Sequence, residues 1–250
     1  MKQLICIAVC LVTLALNMSS CSSKEAQEGI DTYILPNGKK LVVTPIKHAS
    51  LQLNYDGWEF EIDPVSSAVR PIIDYTDKPK ADFILITHEH YDHFDMNAIH
   101  LLTKNSTNLL LNQRCFDRYK KGVVIRNGEK AELTDGITLY AVPAYSRSKD
   151  RAELHPKGRD NGYILDLEGY RIYIAGSTEF VPEMKDIKDI DIAFLPCDKY
   201  KTMTLAQFRK AAKTIRPKIL YPYHMHTTDP KQILKVTRGL GIDVRIRDLR

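Results

Sequence analysis

Between Thr87 and His93 the chain reads Thr-His-Glu-His-Tyr-Asp-His. Three imidazoles, His88, His90 and His93, and the Asp92 carboxylate fall within six residues. Imidazole nitrogen and carboxylate oxygen suit zinc, and manganese or iron as alternatives. Burying several histidines together serves no packing purpose that apolar residues would not serve better, because each polar group must be compensated. A divalent ion held there could activate water or polarise an oxygen. Nothing else in the chain competes: there is no Gly-rich phosphate loop and no G-x-S-x-G nucleophile turn.

A cluster of this kind needs a rigid support. Phe83-Ile84-Leu85-Ile86, just before it, reads as a buried strand. After it, Met96 to Leu102 is helix-compatible and Asp95 is a ready cap. Upstream, Lys40 to Ile46 and Leu51 to Tyr55 have strand composition. Asp56-Gly57 is a hairpin signal leading into Trp58 to Ile62, and Asp63-Pro64 ends that meander. Further strands are expected over Ile137 to Val142, Tyr163 to Leu167, Arg171 to Ala175, Ile190 to Leu195, Lys218 to Tyr221 and Val244 to Ile246. Helices are expected over Thr204 to Thr214, capped by Thr204, and Pro230 to Leu240, stopped by Gly241. Strands first, then strands alternating with helices, in two similar halves, suit two sheets packed face to face with helices outside.

The 250 residues suffice for one large α/β domain, expected over residues 31–250. The formal net charge of +5 is spread along the chain, so no nucleic-acid partner is expected. Residues 1–20 read as a signal peptide: a basic start, then an apolar run from Leu4 to Leu16, shorter than the ~20 residues of a membrane-spanning helix. Ser19-Ser20-Cys21 resembles a bacterial lipobox, which implies cleavage before Cys21, lipid on that cysteine and a place in the cell envelope, anchored to membrane. Residues 21–30 then read as a polar tether. Cys115 and Cys197 remain in the domain, too few for a disulfide framework.

The string from His88 to His93 is the HxHxDH signature of the metallo-β-lactamase superfamily, which this chain resembles along most of its mature length. Lys47-His48-Ala49-Ser50 through Asp63-Pro64 looks like the opening of the lactonase-like and phospholipase-D-like branch. Val142-Pro143-Ala144-Tyr145, Gly162-Tyr163-Ile164, Ala175-Gly176-Ser177-Thr178, Leu195-Pro196 and Pro222-Tyr223-His224 follow in the family's order. The resemblance implies an α/β fold, a four-layered αββα sandwich. It makes His88 and His90 ligands of a first metal, and Asp92, His93 and His224 ligands of a second, with one or two zinc ions. His226 fits that pattern less well.

Two positions depart from the family. Ser146 stands where a third histidine is expected, and Ser177 where an aspartate bridges both metals. A serine hydroxyl brings no charge to two dications. The expected site is therefore asymmetric: the second metal held firmly, the first weakly or not at all, unless His155, Glu179 or Asp198 supplies a ligand. Tyr91 and Tyr223 flank ligands and are candidate oxyanion donors. The activity implied is metal-assisted hydrolysis of an ester, lactone or phosphodiester, with a small-molecule or lipid substrate and with Asp92 as the catalytic group that orients water as well as a ligand. The alternative is a metal-binding protein that has lost catalysis through Ser146 and Ser177.

Overall fold

A computed structural model describes residues 29–250. The signal peptide, the lipidated Cys21 and nearly all of the tether lie outside the described residues.

The first sheet is built in order along the chain. Strands β1 (Asp31–Ile34), β2 (Lys40–Lys47), β3 (Ser50–Tyr55) and β4 (Trp58–Ile62) form an antiparallel meander. The β3–β4 turn is Asp56-Gly57, both with positive φ, as a two-residue hairpin with right-handed twist requires. Then β5 (Phe83–Leu85), β6 (Asn108–Leu111) and β7 (Val123–Val124) add in parallel, with helices α1 (Met96–Leu102) and α2 (Gln113–Tyr119) as crossovers.

The second sheet repeats the plan. Strands β8 (Lys130–Thr134), β9 (Ile137–Ala144), β10 (Asp160–Leu167) and β11 (Tyr170–Ile174) are antiparallel. Strands β12 (Ile192–Pro196), β13 (Ile219–Tyr223) and β14 (Asp243–Val244) then add in parallel, with α3 (Leu205–Ile215) and α4 (Pro230–Thr237) between them. The result is the expected αββα sandwich.

Strand β5 shows why the layers close. Its alternate side chains enter two different cores: Phe83 and Leu85 join the apolar cluster between the sheets, and Ile84 pairs with Ile86 in the cluster beneath α1 and α2. A strand buried on both faces has no polar side, hence the unbroken apolar run in the sequence. Asp95 caps α1 by accepting from the Asn97 and Ala98 amides, and it also accepts from the Ser66 amide. Thr204 and Gln207 form a reciprocal capping box on α3.

Three differences from the sequence reading have local causes. Helix α4 ends at Thr237, before Leu240, because Gly239 already takes positive φ. Strand β14 occupies Asp243–Val244 instead of reaching Ile246. Strand β6, helix α2 and strand β8 carry weak patterns: β6 lacks β-branched residues, only Cys115 of α2 is buried, and β8 is an edge strand with no fully buried residue.

Glu61 on β4 is buried, one carboxyl oxygen has no partner, and burial pushes its pKa up to about 8. In the unfolded chain it ionises near the ordinary glutamate value of 4.5. Folding therefore retains a proton between these values, and stability falls as pH rises through that window. Glu61→Gln should raise the melting temperature at pH 8 by roughly a few °C. The gain should shrink toward pH 5; an equal gain at both pH values would contradict a neutral buried carboxyl.

Candidate metal centre

The candidate donors gather at one end of the sandwich, beyond the carboxyl ends of the parallel strands. β5 leads into His88, His90, Asp92 and His93; β11 leads into Ser177; β13 leads into His224. The β2–β3 turn brings His48, and the β9–β10 connection brings His155. Two clusters result. His88, His90 and His155 offer nitrogens within 4.8 Å of one another, and His48, Asp92, His93 and His224 offer a second such set.

The structure fixes which nitrogen of several rings faces inward. His93 Nδ1 lies 2.7 Å from Asp63 Oδ2, and a carboxylate can only accept, so Nδ1 carries the proton and Nε2 keeps its lone pair. His155 Nδ1 is held in the same way by Asp160 Oδ2 at 2.9 Å. His88 Nδ1 lies 2.9 Å from Thr87 Oγ1, whose hydroxyl in turn donates to Asp63 at 2.6 Å. Carboxylates and hydroxyls behind histidines are the usual means of orienting metal-binding imidazoles.

The inward atoms are spaced for an ion. His88 Nε2 and His90 Nδ1 are 3.2 Å apart. Metal–nitrogen bonds of ~2.0–2.1 Å at tetrahedral angles place ligand nitrogens ~3.3 Å apart. Burial holds His88 and His224 well below the usual histidine range, and neighbouring imidazoles add to the effect. Burial also brings His90 down to about 4, helped by His155. Burial alone would lower His93, but the Asp63 carboxylate outweighs it and raises the group. Burial works against Asp92 ionising, yet His48, His93, His224 and Lys201 hold it as the anion. Neutral imidazoles and an ionised carboxylate are the forms that bind metal, so His88, His90, His224 and Asp92 favour the binding form, whereas His93 must give up its second proton to an arriving ion. The Nε2 of His48 and Nδ1 of His224 are buried without hydrogen-bond partners, as donors awaiting an ion would be.

Several sequence expectations change here. The first cluster has three donors, not two, because His155 supplies the third. Ser146 is buried nearby but joins neither cluster. Glu179 is engaged elsewhere: it accepts from the Arg147 and Ser148 amides and pairs with Arg151 at 2.6 Å. Asp198 caps a turn through the Tyr200 amide and lies 4.0 Å from His224 Nδ1, outside both clusters. His226 is exposed. Ser177 puts its hydroxyl 3.2 Å from His93 Nε2, within the second cluster but without charge. Tyr223 is fully buried and donates to the Gly176 carbonyl, so it is no oxyanion donor; Tyr91 is exposed at the rim. The sequence reading missed Asp63 as an orienting carboxylate and His48 as a possible donor. Both stood in stretches already matched to the family, but nothing in their spacing marks a role.

A cleft of about 400 Å³ opens over the first cluster, with His90 and His155 in its floor and Tyr91 and Leu154 on its walls. Arg118 and Lys201 line it with positive charge, and Glu89 and Asp92 with negative charge.

Residues 42–224 match the model of the beta-lactamase superfamily domain. The chain belongs to that superfamily. A candidate metal-dependent hydrolase from Parabacteroides distasonis superposes on this superfamily member with a TM-score of 0.85 at 47% identity, covering 88% of this chain and 99% of its own. A UPF0173 metal-dependent hydrolase from Thermococcus kodakarensis is 30% identical over 186 residues, 68% of this chain and 78% of that one. Another from Methanopyrus kandleri is 26% identical over 219 residues, 82% and 94% of the two chains. These relatives agree with the expectation of a metallo-β-lactamase-fold hydrolase.

Because Asp63 orients two of the inward-facing histidines, Asp63→Asn should weaken zinc binding by ~10- to 100-fold. A competition titration with a chromophoric chelator reads this directly. Unchanged affinity would mean that backbone geometry alone sets the rings.

Proposed function

We propose that the protein is a metal-dependent hydrolase of an ester, lactone or phosphodiester, held at the cell envelope by lipid on Cys21. The observation that carries the hydrolase reading is the set of His88, His90 and His155, fixed from behind and lying under an accessible cleft. At such donors a divalent ion supplies Lewis acidity and a water whose pKa falls to about 7.

The chain's own groups divide the remaining work. Asp92 lines the cleft and belongs to the second cluster, so it can accept a hydrogen bond from the attacking water and orient it. Lys201 Nζ lies 3.2 Å from Asp92 Oδ2 and helps keep the carboxylate in that accepting, anionic form. Lys201 and Arg118 line the cleft together with Glu89 and Asp92, so its side-chain charges balance and a bound dication would tip it toward a substrate with a phosphate or carboxylate. Tyr91 and Leu154 offer apolar surface to the rest of the substrate.

Ser177 favours a second reading, a metal-binding protein without turnover, since two dications would share fewer charges. One experiment separates the two. The purified chain, loaded with zinc, manganese or iron, is screened against esters, lactones and phosphodiesters. Turnover should disappear on chelation, return with metal, and fall by ~10²-fold or more in kcat/KM for His88→Ala. Activity that survives complete chelation would sink the proposal; no turnover on any class with metal bound would favour the second reading.

The envelope assignment rests on the lipobox-like Ser19-Ser20-Cys21. Among the described residues no helix is long and apolar enough to cross a membrane. In cell fractionation, Cys21→Ser should move the protein from the membrane fraction to the soluble one. A soluble wild type would refute the anchor.

A further inference from the structure

We propose that His48 is a fourth protein ligand of the second metal position, alongside Asp92, His93 and His224, and that it closes this position. The open coordination position then belongs to the ion held by His88, His90 and His155. The inference rests on the metallo-hydrolase reading above and assigns a role that the superfamily resemblance did not give His48.

Four observations converge on the residue. First, His48 is 4% exposed and its Nε2 has no hydrogen-bond partner. A buried polar atom left unsatisfied forfeits its hydration without recompense, so such atoms call for an explanation. The nearest counter-charge is Asp92 Oδ2 at 3.5 Å, a contact that is not a hydrogen bond but is close to the spacing of two ligands on one tetrahedral ion.

Second, the backbone is shaped to present the ring. His48 has φ of 49°, in the left-handed region that non-glycine residues rarely occupy. His224 has φ of 48°, and its amide donates to the His48 carbonyl at 3.0 Å. Two unfavourable conformations are thus locked together, and their rings lie 3.9 Å apart between centroids. On the other side, the buried Lys47 ammonium donates to the carbonyls of Ser66, Val69 and Pro71. The turn is clamped from both directions with His48 pointing inward. Strain of this kind persists where surrounding structure over-determines it, commonly at functional sites.

Third, donor count favours the assignment. Ser177 brings no charge to the position where the family resemblance expects a bridging aspartate. Asp92, His93 and His224 alone make three ligands. His48 makes four, the number a closed tetrahedral site takes, and the four donor atoms all lie within 4.8 Å of one another.

Fourth, the cleft distinguishes a ligand from an acid or base. His90, Asp92 and His155 line it, whereas His48, His93 and His224 do not. A proton-transfer residue must reach the substrate or its water, and His48 sits behind the carboxylate. The ion in the His48 set would therefore be enclosed, and the ion in the three-histidine set would face the substrate. With no carboxylate among its donors except through Asp92 nearby, that outer position keeps most of its positive charge for polarising a substrate oxygen.

The test uses cobalt(II) as probe on the purified full chain, with metal content, affinity and visible spectrum as readouts. The wild type should bind two ions, one giving the intense absorption of a four-coordinate site. His48→Asn is the first variant, because asparagine tolerates positive φ. It should weaken one ion by at least ~10-fold and change that ion's spectrum as water enters, leaving the other ion's affinity unchanged. His155→Ala should do the reverse, weakening the ion whose spectrum His48→Asn leaves alone. If His48→Asn does not fold, paramagnetically shifted imidazole N–H resonances of the wild type decide: six for three histidines per cluster, five if His48 is not a ligand. Two ions bound by His48→Asn with wild-type affinity and spectrum would overturn the assignment while leaving the hydrolase reading intact. A wild type that binds no ion in metal-replete buffer would overturn both.

Discussion

The carboxylate of Asp63 is the point on which the centre depends. It is fully buried and accepts three hydrogen bonds, from the Thr87 amide at 2.8 Å, the Thr87 hydroxyl at 2.6 Å and His93 Nδ1 at 2.7 Å. Through Thr87 it also governs the orientation of His88. Its own amide donates to Leu85, so the end of β4 is tied to the end of β5. A buried charge is tolerated only when its lone pairs are engaged, and here they are. One side chain therefore couples strand register to the aim of a histidine in each cluster.

The third histidine is placed by different means. His155 lies in a long connection between β9 and β10, where a mobile loop would be the default. Instead the loop is pinned. Arg151 is buried, pairs with Glu179 and donates to the carbonyls of Lys199 and Thr202. Ser146 donates its amide to the His155 carbonyl, and Arg159 and Asp160 pair side by side behind the ring. Charged groups that look like a solvated stretch in the sequence thus form a buried brace.

This difference explains what was legible beforehand. The strand β4 and helix α1 matched their expected limits because Asp-Gly and Asp95 act locally, on neighbours in the chain. His88, His90, Asp92 and His93 were visible because their spacing on one strand end is itself the geometry. His155, Asp63 and His48 act across 5 to 44 residues of separation, through contacts with Asp160, His93, Thr87 and Asp92 that no local pattern encodes. The serines at 146 and 177 suggested a depleted site. At the first cluster a third donor is at hand all the same, because a ligand position is defined by where a side chain arrives, and of the three candidates His155 arrives, from nine residues beyond Ser146.

Ser177 remains a true departure, and its setting shows what replaces the missing charge. Gly176 takes φ of 68°, and a Cβ there would meet the Asn161 carbonyl at 2.6 Å, so the backbone at this turn is pressed against β10. Ser177 follows with its hydroxyl toward His93, buried and hydrogen-bonded. The local backbone is thus held tightly although the carboxylate is gone. With Asp92 the sole carboxylate in either donor set, its charge matters to both clusters, and Lys201 competes with any ion for it. Lys201 also lines the cleft, so the ammonium that neutralises Asp92 stands where a substrate would enter. One carboxylate thus lies between the two donor sets and the cleft, with Asp63 and Asp160 holding the rings still around it.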